Sequence, residues 1–468
     1  MQLTPPAASP APAVTVEPWD GCAPEAAAWH LRGEPGLVWL DSSLAGGRLG
    51  RWSAVGCAPR WTLTARGRRL TRVEGGEAGT WDGDAVAAFA AAVEAEPAVA
   101  PVEGLPFLGG AIGYLGFELG RQIERLPATT VDDVGAPDLA VGWYDAALIW
   151  DEAARRGHLV GRPEAVAALR RRLAGAGALP PRRELIARTP LQPNMTRTAY
   201  LDAVRRALGY IAAGDIYQVN LSQRLSARVH ASGLDLYRRL RAVSPAPFAA
   251  YLALGGVEVL SSSPERLLLA NGDALETRPI KGTRPRGATA EADACLADEL
   301  RASAKDNAEH VMIVDLERND LGRVAEVGSV AVPELAALET YAQVHHLTST
   351  VTARRRAGVG VEALLRAIFP GGSVTGAPKI RALQIIDELE PTVRGVYTGA
   401  IGYVSAHGRI DLNVAIRTVT LVGGVAHAHV GGAIVADSDP AAEYRETLDK
   451  ARGMAEAIGA LLPEEAEA

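Results

Sequence analysis

The chain has 468 residues, 48% of them hydrophobic and 22% charged, a composition typical of a soluble globular protein with one large domain or two ordinary ones. A formal net charge of −7 gives no support for nucleic-acid binding, so we expect no nucleic-acid partner. The three cysteines, Cys22, Cys57 and Cys295, are too few and too scattered for a disulfide framework or a zinc site, which favours a reducing, cytoplasmic location.

Two stretches of the chain resemble targeting or membrane segments in part. Residues 1–18 are rich in proline and alanine but contain no lysine or arginine, so they lack the charged start of a signal peptide, and we predict a disordered tail. Residues 418–436 nearly have the length of a membrane helix, yet they include His427, His429, two glycine pairs and many valines. A strand–turn–strand is the better interpretation there, and we expect no membrane association.

Residues 19–177 are predicted to form an N-terminal α/β region built mainly of short strands. Apolar runs and turn signals predict strands at 37–40, 51–55, 61–65, 69–73, 139–150 and 157–160, and helical patterns predict helices at 84–93 and 164–174. Residues 178–195 contain four prolines and few periodic apolar residues, so they are predicted to be a linker.

Longer helices and strands follow in residues 196–462, and a short tail is predicted at 463–468. The predicted helices are 200–211, 291–318, 361–368, 379–389 and a last helix that Asp439 caps, with Pro440 in its first position. The predicted strands are 216–222, 248–254, 257–261, 341–353, 396–404, 409–421 and 425–435. Gln218 and Asn220 share one face of the first of these strands, which is therefore either a surface strand or the wall of a cleft.

One stretch, residues 276–287, holds a single lysine among prolines, glycines and arginines. This lysine, Lys281, could attack an electrophilic carbon if its surroundings favour the neutral amine. Glu265 precedes it, with strand-like sequence between the two, so a pair of strands could bring a carboxylate beside the lysine to transfer protons. The alternative interpretation is a Pro/Gly surface loop with solvated basic residues.

Three glutamates could form a site for a hard cation. Glu309 lies in the middle of a predicted helix among apolar residues, and a buried carboxylate needs a cation partner. Glu443 and Glu446 lie one helical turn apart in the last helix and share a face, although acidic residues there are ordinarily partners of the helix dipole. Together the three could supply an all-oxygen Mg²⁺ site.

Two glycine-rich segments could bind an anion. Residues 371–379 lead into a helix N-terminus, but Ala377-Pro378 stand where a P-loop needs Lys-Ser/Thr, which excludes a nucleoside triphosphate site. Gly431, Gly432 and Ala433, between a strand and the last helix, could donate N–H groups to a carboxylate, and Arg417 could add a bidentate contact. A tight turn and a surface arginine are the alternatives.

Several long motifs occur along the chain in a fixed order: YQVNLSQ (217–223), SPER (263–266), PIKGT (279–283), DLERND (315–320), FPGGSVTGAPK (369–379) and ADSDP (436–440). Taken together they resemble the chorismate-utilising enzymes, and among these the aminodeoxychorismate synthase component I branch. The resemblance implies an α+β fold, a two-layer α/β sandwich with large antiparallel sheets and a central active-site cleft. It also implies that residues 196–462 are the chorismate-binding catalytic region.

Two positions distinguish branches of that family. Isochorismate and salicylate synthases place a lysine base at the position of Gln218, which argues against water as the nucleophile here. Anthranilate synthases typically have alanine at the position of Lys281, so the lysine favours amination of chorismate at C4.

The resemblance also implies a mechanism. Chorismate binds on Mg²⁺ that Glu309 and Glu446 hold, with Glu443 as a neighbouring ligand. Lys281 attacks C2 as the C4 hydroxyl leaves, Glu265 transfers protons, and ammonia then adds at C4 and expels the lysine, giving 4-amino-4-deoxychorismate for the p-aminobenzoate and folate pathway. His346 corresponds to a family active-site histidine. The residues implied in substrate binding are Gly282, Thr283, Tyr397, Arg417, Gly431, Gly432, Ala433 and Lys450.

Ammonia would come from a separate glutaminase subunit, and we expect a heterodimer with it. Two alternatives stay open. An anthranilate synthase component I would add ammonia at another carbon and release pyruvate, whereas a scaffold or regulatory paralogue would keep the fold without activity. The four residues Glu265, Lys281, Glu309 and Glu446 argue against the inactive paralogue, which has no chemical need for them.

Overall fold

The computed structural model describes residues 13–44, 49–182, 189–341 and 344–466. Two large antiparallel sheets, each of twelve described strands, pack against each other, and helices cover the outer face of each sheet. The predicted α+β class with large antiparallel sheets is confirmed. In the described part of the chain, no helix is both long and apolar enough to cross a membrane.

The elements follow one another along the chain in three groups. Residues 13–182 form β1 Thr15–Trp19, α1 Pro24–His30, β2 Val38–Asp41, β3 Trp52–Gly56, β4 Trp61–Arg66, β5 Arg69–Glu74, β6 Glu77–Asp82, α2 Ala85–Glu94, β7 Gly110–Leu115, α3 Gly120–Ile123, β8 Leu139–Tyr144, β9 Ala146–Asp151, β10 Arg156–Gly161 and α4 Pro163–Leu173. Residues 189–341 form β11 Thr189–Pro190, β12 Gln192–Pro193, α5 Arg197–Ala212, β13 Gln218–Arg228, α6 Gly233–Val243, β14 Phe248–Leu254, β15 Val257–Ser263, β16 Arg266–Asn271, β17 Ala274–Arg278, β18 Ile280–Pro285, α7 Ala290–Ala302, α8 Ala304–Gly322 and β19 Ala331–Thr340. Residues 344–466 form β20 Val344–Arg354, α9 Val361–Ile368, β21 Gly376–Ala377, α10 Lys379–Leu389, β22 Ala400–Ser405, β23 Ile410–Asn413, β24 Thr418–Val422, β25 Val425–Ile434, α11 Pro440–Ile458, β26 Ala460–Leu461 and α12 Pro463–Ala466.

Both sheets combine strands from the two predicted regions. The first sheet has the order β1-β10-β9-β3-β2-β14-β15-β24-β25-β13-β12, with β21 also paired to β13. The second has the order β18-β20-β17-β16-β23-β22-β7-β8-β4-β5-β6, with β19 also paired to β20. The N-terminal region meets residues 196–462 at the β2–β14 pair in one sheet and at the β7–β22 pair in the other. The two regions are therefore halves of the same two sheets.

The hydrophobic core has three layers because the side chains of each strand alternate between two faces. Trp39 of β2 packs among the helices outside the first sheet, while its neighbour Val38 packs between the two sheets. Helices α2, α8 and α9 cover the outer face of the second sheet. This packing places α8 across β18, the strand that carries Lys281, and its neighbour β20.

The structure corrects three predicted elements. The helix predicted at 291–318 is interrupted at Ser303, whose hydroxyl accepts a hydrogen bond from the Asp306 N–H and so caps a new helix, α8. The strand predicted at 139–150 is two strands, β8 and β9, and the strand predicted at 409–421 is also two strands, β23 and β24. In each case the two strands lie in different sheets. A change of sheet within an apolar run leaves the run's hydropathy unchanged, so the pattern could not reveal it.

The predicted tails and linker are partly wrong and partly outside the described residues. Strand β1 begins at Thr15 within the predicted N-terminal tail and pairs with β10, while residues 1–12 are not described. In the predicted linker, β11 pairs with β26 and β12 pairs with β13, while residues 183–188 are not described. Helix α12 occupies most of the predicted C-terminal tail. Neighbouring strands supply backbone partners that the local composition does not reveal.

Candidate active site

A bulge in β18 and the crossing of α8 determine the surroundings of Lys281. The register between β18 and β20 shifts between Lys281 and Thr283, and Gly282 at the shift has a φ of +75°, which glycine adopts without strain. Helix α8 packs on this strand, and Lys281 Nζ lies 2.8 Å from Glu309 Oε1. Both side chains are 11% exposed, so the predicted nucleophile lies in a largely buried ion pair.

Glu265 lies between β15 and β16, near Lys281 as the sequence predicted. Its side chain is buried, and burial raises the pKa of its carboxyl to about 7, although Ser373 and the charge of Lys281 act in the opposite direction. A carboxyl with this pKa is present in both protonation states near neutral pH. Glu265 can therefore give or accept a proton beside Lys281.

His346 joins the same cluster from β20. Its Nδ1 lies 2.8 Å from the Thr283 hydroxyl, with which it shares a hydrogen bond. Burial, and then the nearby charge of Arg417, lower the pKa of His346 to about 3, so the ring is neutral at physiological pH. The structure thus brings together three of the residues predicted for this site, His346, Thr283 and Arg417.

Arg417 occupies the corner where the chain passes from β23 in one sheet to β24 in the other. Its φ is +51°, which residues other than glycine rarely adopt, and its carbonyl accepts a hydrogen bond from the Ser262 N–H at 3.1 Å. Burial lowers the pKa of its guanidinium, and no described carboxylate forms an ion pair with it. A partly buried arginine without an acidic partner suits an anionic ligand.

The segment of Gly431, Gly432 and Ala433 lies inside β25, in agreement with the predicted strand at 425–435 and not with the alternative of a tight turn. These residues pair with residues 220–222 of β13 on one side. On the other side, the pairing of β25 with β24 ends at Ala428. Beyond Ala428, the alternate N–H groups on that edge are therefore not taken up by β24. An open strand edge, and not a turn, presents these amides.

Glu443 and Glu446 lie beside this strand at the start of α11. A β-carbon at Gly432 would lie 3.2 Å from Glu443 Oε2 and 3.6 Å from Glu446 Oε1, so the glycine permits the close approach. Glu443 is 5% exposed, and among the described residues its carboxylate accepts one hydrogen bond, from the Ser438 hydroxyl at 2.6 Å. Burial, together with repulsion from Glu446, raises the pKa of Glu443.

Lysines surround the second of these carboxylates. Lys450 Nζ lies 2.7 Å from Glu446 Oε1 and donates to the Gly431 carbonyl at 3.0 Å. The Glu446 side chain is 52% exposed, and although its partial desolvation acts to raise its pKa, Lys450, Lys305 and Lys281 together hold that pKa below its usual value. The effect of Lys281 on Glu446 places this acidic pair in the same cleft as Glu309. Within the described ranges, no three acidic, histidine or cysteine side chains converge closely enough to hold a metal ion together.

Tyr397 stacks on His429, with ring centroids 5.3 Å apart and an interplanar angle of 11°. His429 lies on the same face of β25 as Gly431, two residues further along, so the stack borders the segment of open amides. A cavity of about 470 Å³ adjoins the stack and includes His429 and Arg394 in its walls, but none of the sequence-predicted site residues lines it. Of the predicted residues, His346 and Arg417 line another, smaller cavity. Lys281, Glu309, Glu443 and Glu446 lie on β18, α8 and α11, and we call the space that these elements and β25 border the cleft.

Comparison with known protein families covers most of the chain. The family model described as chorismate binding enzyme matches residues 44–456. The chain belongs to the chorismate-binding enzyme family. The family match includes residues 44–177, so in this chorismate-binding enzyme most of the N-terminal region is part of the family fold.

Three relatives represent the similarity of this chorismate-binding enzyme to known proteins. Aminodeoxychorismate synthase component 1 of Klebsiella aerogenes is 43% identical over 94% of this chain and 97% of its own length. Anthranilate synthase component 1 of Streptomyces coelicolor is 46% identical over 77% of this chain and 75% of its own length. The crystal structure of anthranilate synthase component I from Streptococcus pneumoniae TIGR4 superposes with a TM-score of 0.77 at 34% identity, over 86% of this chain and 92% of that one.

A buried ion pair that no sequence motif indicated supports the site. Arg394 donates to both carboxylate oxygens of Glu390, at 2.9 and 2.7 Å, and to the carbonyls of Val374 and Asn220. Its side chain is 2% exposed and that of Glu390 is 3% exposed. The pair connects α10 to β13 and to the segment before Tyr397. The spacing of four residues between Glu390 and Arg394 can be seen in the sequence, but the same spacing is common in exposed ion pairs, so it does not indicate a buried one.

Proposed function

We propose that this chorismate-binding enzyme aminates chorismate at C4 and forms 4-amino-4-deoxychorismate, a step towards p-aminobenzoate and folate. The observation that carries the proposal is Lys281, largely buried in the cleft beside Glu309 and Glu265. The near-full-length similarity to an aminodeoxychorismate synthase component 1 supports it. Identification of the product formed from chorismate with ammonium ion as the nitrogen source tests it.

Each residue of the cleft has a separate role in the proposed reaction. Lys281 passes a proton to Glu309 and attacks C2 as the neutral amine, and Glu265 gives its own proton to the C4 hydroxyl, which leaves as water. Ammonia then adds at C4, the bond between C2 and Lys281 breaks, Glu309 returns its proton to Lys281, and the proton released from the new amine returns to Glu265. Arg417 and the open amides of β25 hold the substrate carboxylates, and neutral His346 orients Thr283.

We expect substitution of Arg417 to weaken substrate binding more than it slows turnover. Arg417→Ala removes a charge-assisted bidentate contact, and the KM for chorismate should rise about 10- to 100-fold. Arg417→Lys keeps the positive charge but loses the planar guanidinium that makes the bidentate contact, so its KM should lie between those of the wild type and Arg417→Ala. Steady-state kinetics with ammonium ion as the second substrate measure both variants. An unchanged KM in Arg417→Ala would remove Arg417 from the proposed binding site.

We further propose that Mg²⁺ binds in this cleft, at Glu309 and Glu446 with Glu443 close by. The donor set fits, because Mg²⁺ takes one or two protein carboxylates and completes its shell with water and substrate oxygens. Glu443 is also a buried carboxylate without a described cation partner in hydrogen-bond contact. Bound there, the ion would hold a substrate carboxylate and compete with Lys281 for Glu309.

Glu446→Gln should raise the Mg²⁺ concentration needed for half-maximal activity by about 10-fold or more, because the ion loses a charged ligand. Isothermal titration of Mg²⁺ into the protein without chorismate should show the same loss of affinity. Asp449→Asn is the matched control, since Asp449 lies on the same helix and is likewise exposed, but it pairs with Arg452 and lies outside the proposed Mg²⁺ site. Equal Mg²⁺ affinity in wild type and Glu446→Gln would contradict this assignment.

The nitrogen source is proposed to be a separate glutaminase subunit that forms a heterodimer with this chain. The name "component 1" of the Klebsiella aerogenes relative supports a second component. A second candidate function is that of anthranilate synthase component 1, which the identity to the Streptomyces coelicolor protein favours. The product separates the two, because an anthranilate synthase releases anthranilate and pyruvate.

A further inference from the structure

One face of α8 continues the polar row that begins at Glu309. Glu309, Glu317 and Asp320 recur at spacings that place them on one side of the helix. Glu309 meets Lys281 on β18, and Asp320 pairs with Lys379 at the start of α10. Glu317 lies between these two ion pairs. The family motif DLERND, to which the sequence analysis assigned no role, therefore continues into the cleft.

Glu317 is held by neutral groups. Its side chain is 2% exposed. Its Oε2 accepts from the Thr277 hydroxyl at 3.3 Å, and its Oε1 accepts from the Gly372 N–H at 3.2 Å. Among the described residues it forms no ion pair, since Lys379 pairs with Asp320. A buried carboxyl with neutral partners favours its protonated form.

Glu265 is the next acidic group on the other side of Glu317. Glu265 adjoins Ser373 and Glu317 adjoins Gly372, and these two neighbouring residues belong to one 3₁₀ turn, Gly372–Val374.

The cluster contains three buried carboxyls. Among the described residues, Lys379 pairs with Asp320, on which Arg323 also acts, and Lys281 pairs with Glu309, so neither Glu265 nor Glu317 forms an ion pair of its own. Buried like charges cannot all ionise together, so the cluster retains a proton.

The charged groups around Glu317 indicate where that proton resides. Burial raises the pKa of Glu317 well above its usual value, and repulsion from Asp320 and then Glu265 adds to this effect, while Lys379 and the Thr277 hydroxyl oppose it. Burial also raises the pKa of Asp320, against Lys379 and Arg323. Glu265 instead faces the cation Lys281. Glu317 therefore keeps its proton to a higher pH than Glu265 does.

We propose that Glu317 is the proton reserve of Glu265, an inference that rests on the proposed C4 amination. When Glu265 gives its proton to the leaving hydroxyl, the O–H bond of Glu317 breaks and its proton passes to the Glu265 carboxylate. The new Glu317 carboxylate is stabilised by Thr277, the Gly372 N–H and nearby Lys379. Ammonia adding at C4 releases one proton, which returns through Glu265 to Glu317. Glu317 acts on the substrate only through Glu265 and is thus a positioning residue.

Glu317→Gln separates proton supply from structure, because glutamine reproduces the shape and hydrogen bonding of a protonated glutamate but cannot pass the proton on. With ammonium ion and chorismate, we expect kcat to fall about 10-fold or more, with an unchanged KM for chorismate. The alkaline limb of the kcat profile should move to lower pH, towards the pKa of Glu265. Glu317→Asp, which keeps a carboxyl, should recover part of the lost kcat and part of the shift of the alkaline limb. Glu118→Gln is the matched control, since burial likewise raises the pKa of Glu118 to about 7 but Glu118 lies outside the cleft.

Thr277→Val provides an independent test of the proposal if Glu317→Gln does not fold. It removes a hydrogen bond that favours the Glu317 carboxylate, so the alkaline limb should move to higher pH, opposite to the shift in Glu317→Gln. If the wild type is active, an unchanged kcat and pH profile in Glu317→Gln would overturn the inference about Glu317 but not the proposed function. A pH profile of Thr277→Val that matches the wild-type profile would have the same consequence. A wild type that forms no 4-amino-4-deoxychorismate would overturn the proposed function and this inference with it.

Discussion

Lys281→Ala is expected to lower the rate of chorismate amination at C4 by about 10²-fold or more, because the substitution removes the group that attacks C2. The KM for chorismate should change much less, since Arg417 and the β25 amides bind the carboxylates. Any residual amination should occur at C2, where ammonia can enter the space that the lysine side chain leaves. Product analysis combined with steady-state kinetics measures both effects.

Lys281→Arg controls for the ion pair with Glu309. Arginine keeps a positive charge beside Glu309, but its guanidinium is not deprotonated in proteins and cannot act as the nucleophile. If Lys281 served only to balance the charge of Glu309, Lys281→Arg would keep most of its activity. We expect Lys281→Ala and Lys281→Arg to show the same strong loss of C4 amination, and circular dichroism should show that both are folded. Wild-type rates in Lys281→Arg would refute covalent catalysis by this lysine.

Arg394→Met is expected to destabilise the fold by about 3–5 kcal/mol, because it leaves the buried Glu390 carboxylate without its cation. The side chains are 2% and 3% exposed, so water cannot replace the lost partner. The substitution also removes the hydrogen bonds that Arg394 donates to the Val374 and Asn220 carbonyls. The free energy of unfolding from urea titration measures the loss.

The double variant Glu390→Leu/Arg394→Met is the matched control for Arg394→Met. It removes both charges, so it should be more stable than Arg394→Met alone, although the Ser222 N–H and hydroxyl then lose their acceptor. A loss below about 1 kcal/mol in Arg394→Met would show that the pair is unimportant for stability.

The sequence predicted elements well where hydropathy and caps act locally. Helices α9 and α10 have the predicted bounds, and Asp439 caps α11 as expected, with its carboxylate accepting from the Ala442 N–H. The break at Ser303 and the division of residues 409–421 between two sheets depend on long-range packing. Local periodicity carries no information about such packing, because the same residues fit either arrangement.

The candidate site was predicted residue by residue, but its connections were not. The motifs gave Lys281 and Glu309 separately, and the structure shows them in one ion pair. The carboxamide pattern of β13 fitted a surface strand or a cleft wall, and Gln218 is fully buried. The row of buried carboxyls behind Glu265 could not be foreseen, because Glu317 and Gly372, and likewise Asp320 and Lys379, are far apart in sequence and meet only where α8 packs against the segment before α10.

The product formed by the purified chain from chorismate, Mg²⁺ and ammonium ion tests the proposed function most directly. Chromatography with mass analysis distinguishes 4-amino-4-deoxychorismate from anthranilate and pyruvate. We expect 4-amino-4-deoxychorismate without pyruvate from the wild type, and its strong reduction in Lys281→Ala. Anthranilate and pyruvate from the wild type would contradict C4 amination and assign the chain the activity of an anthranilate synthase component 1.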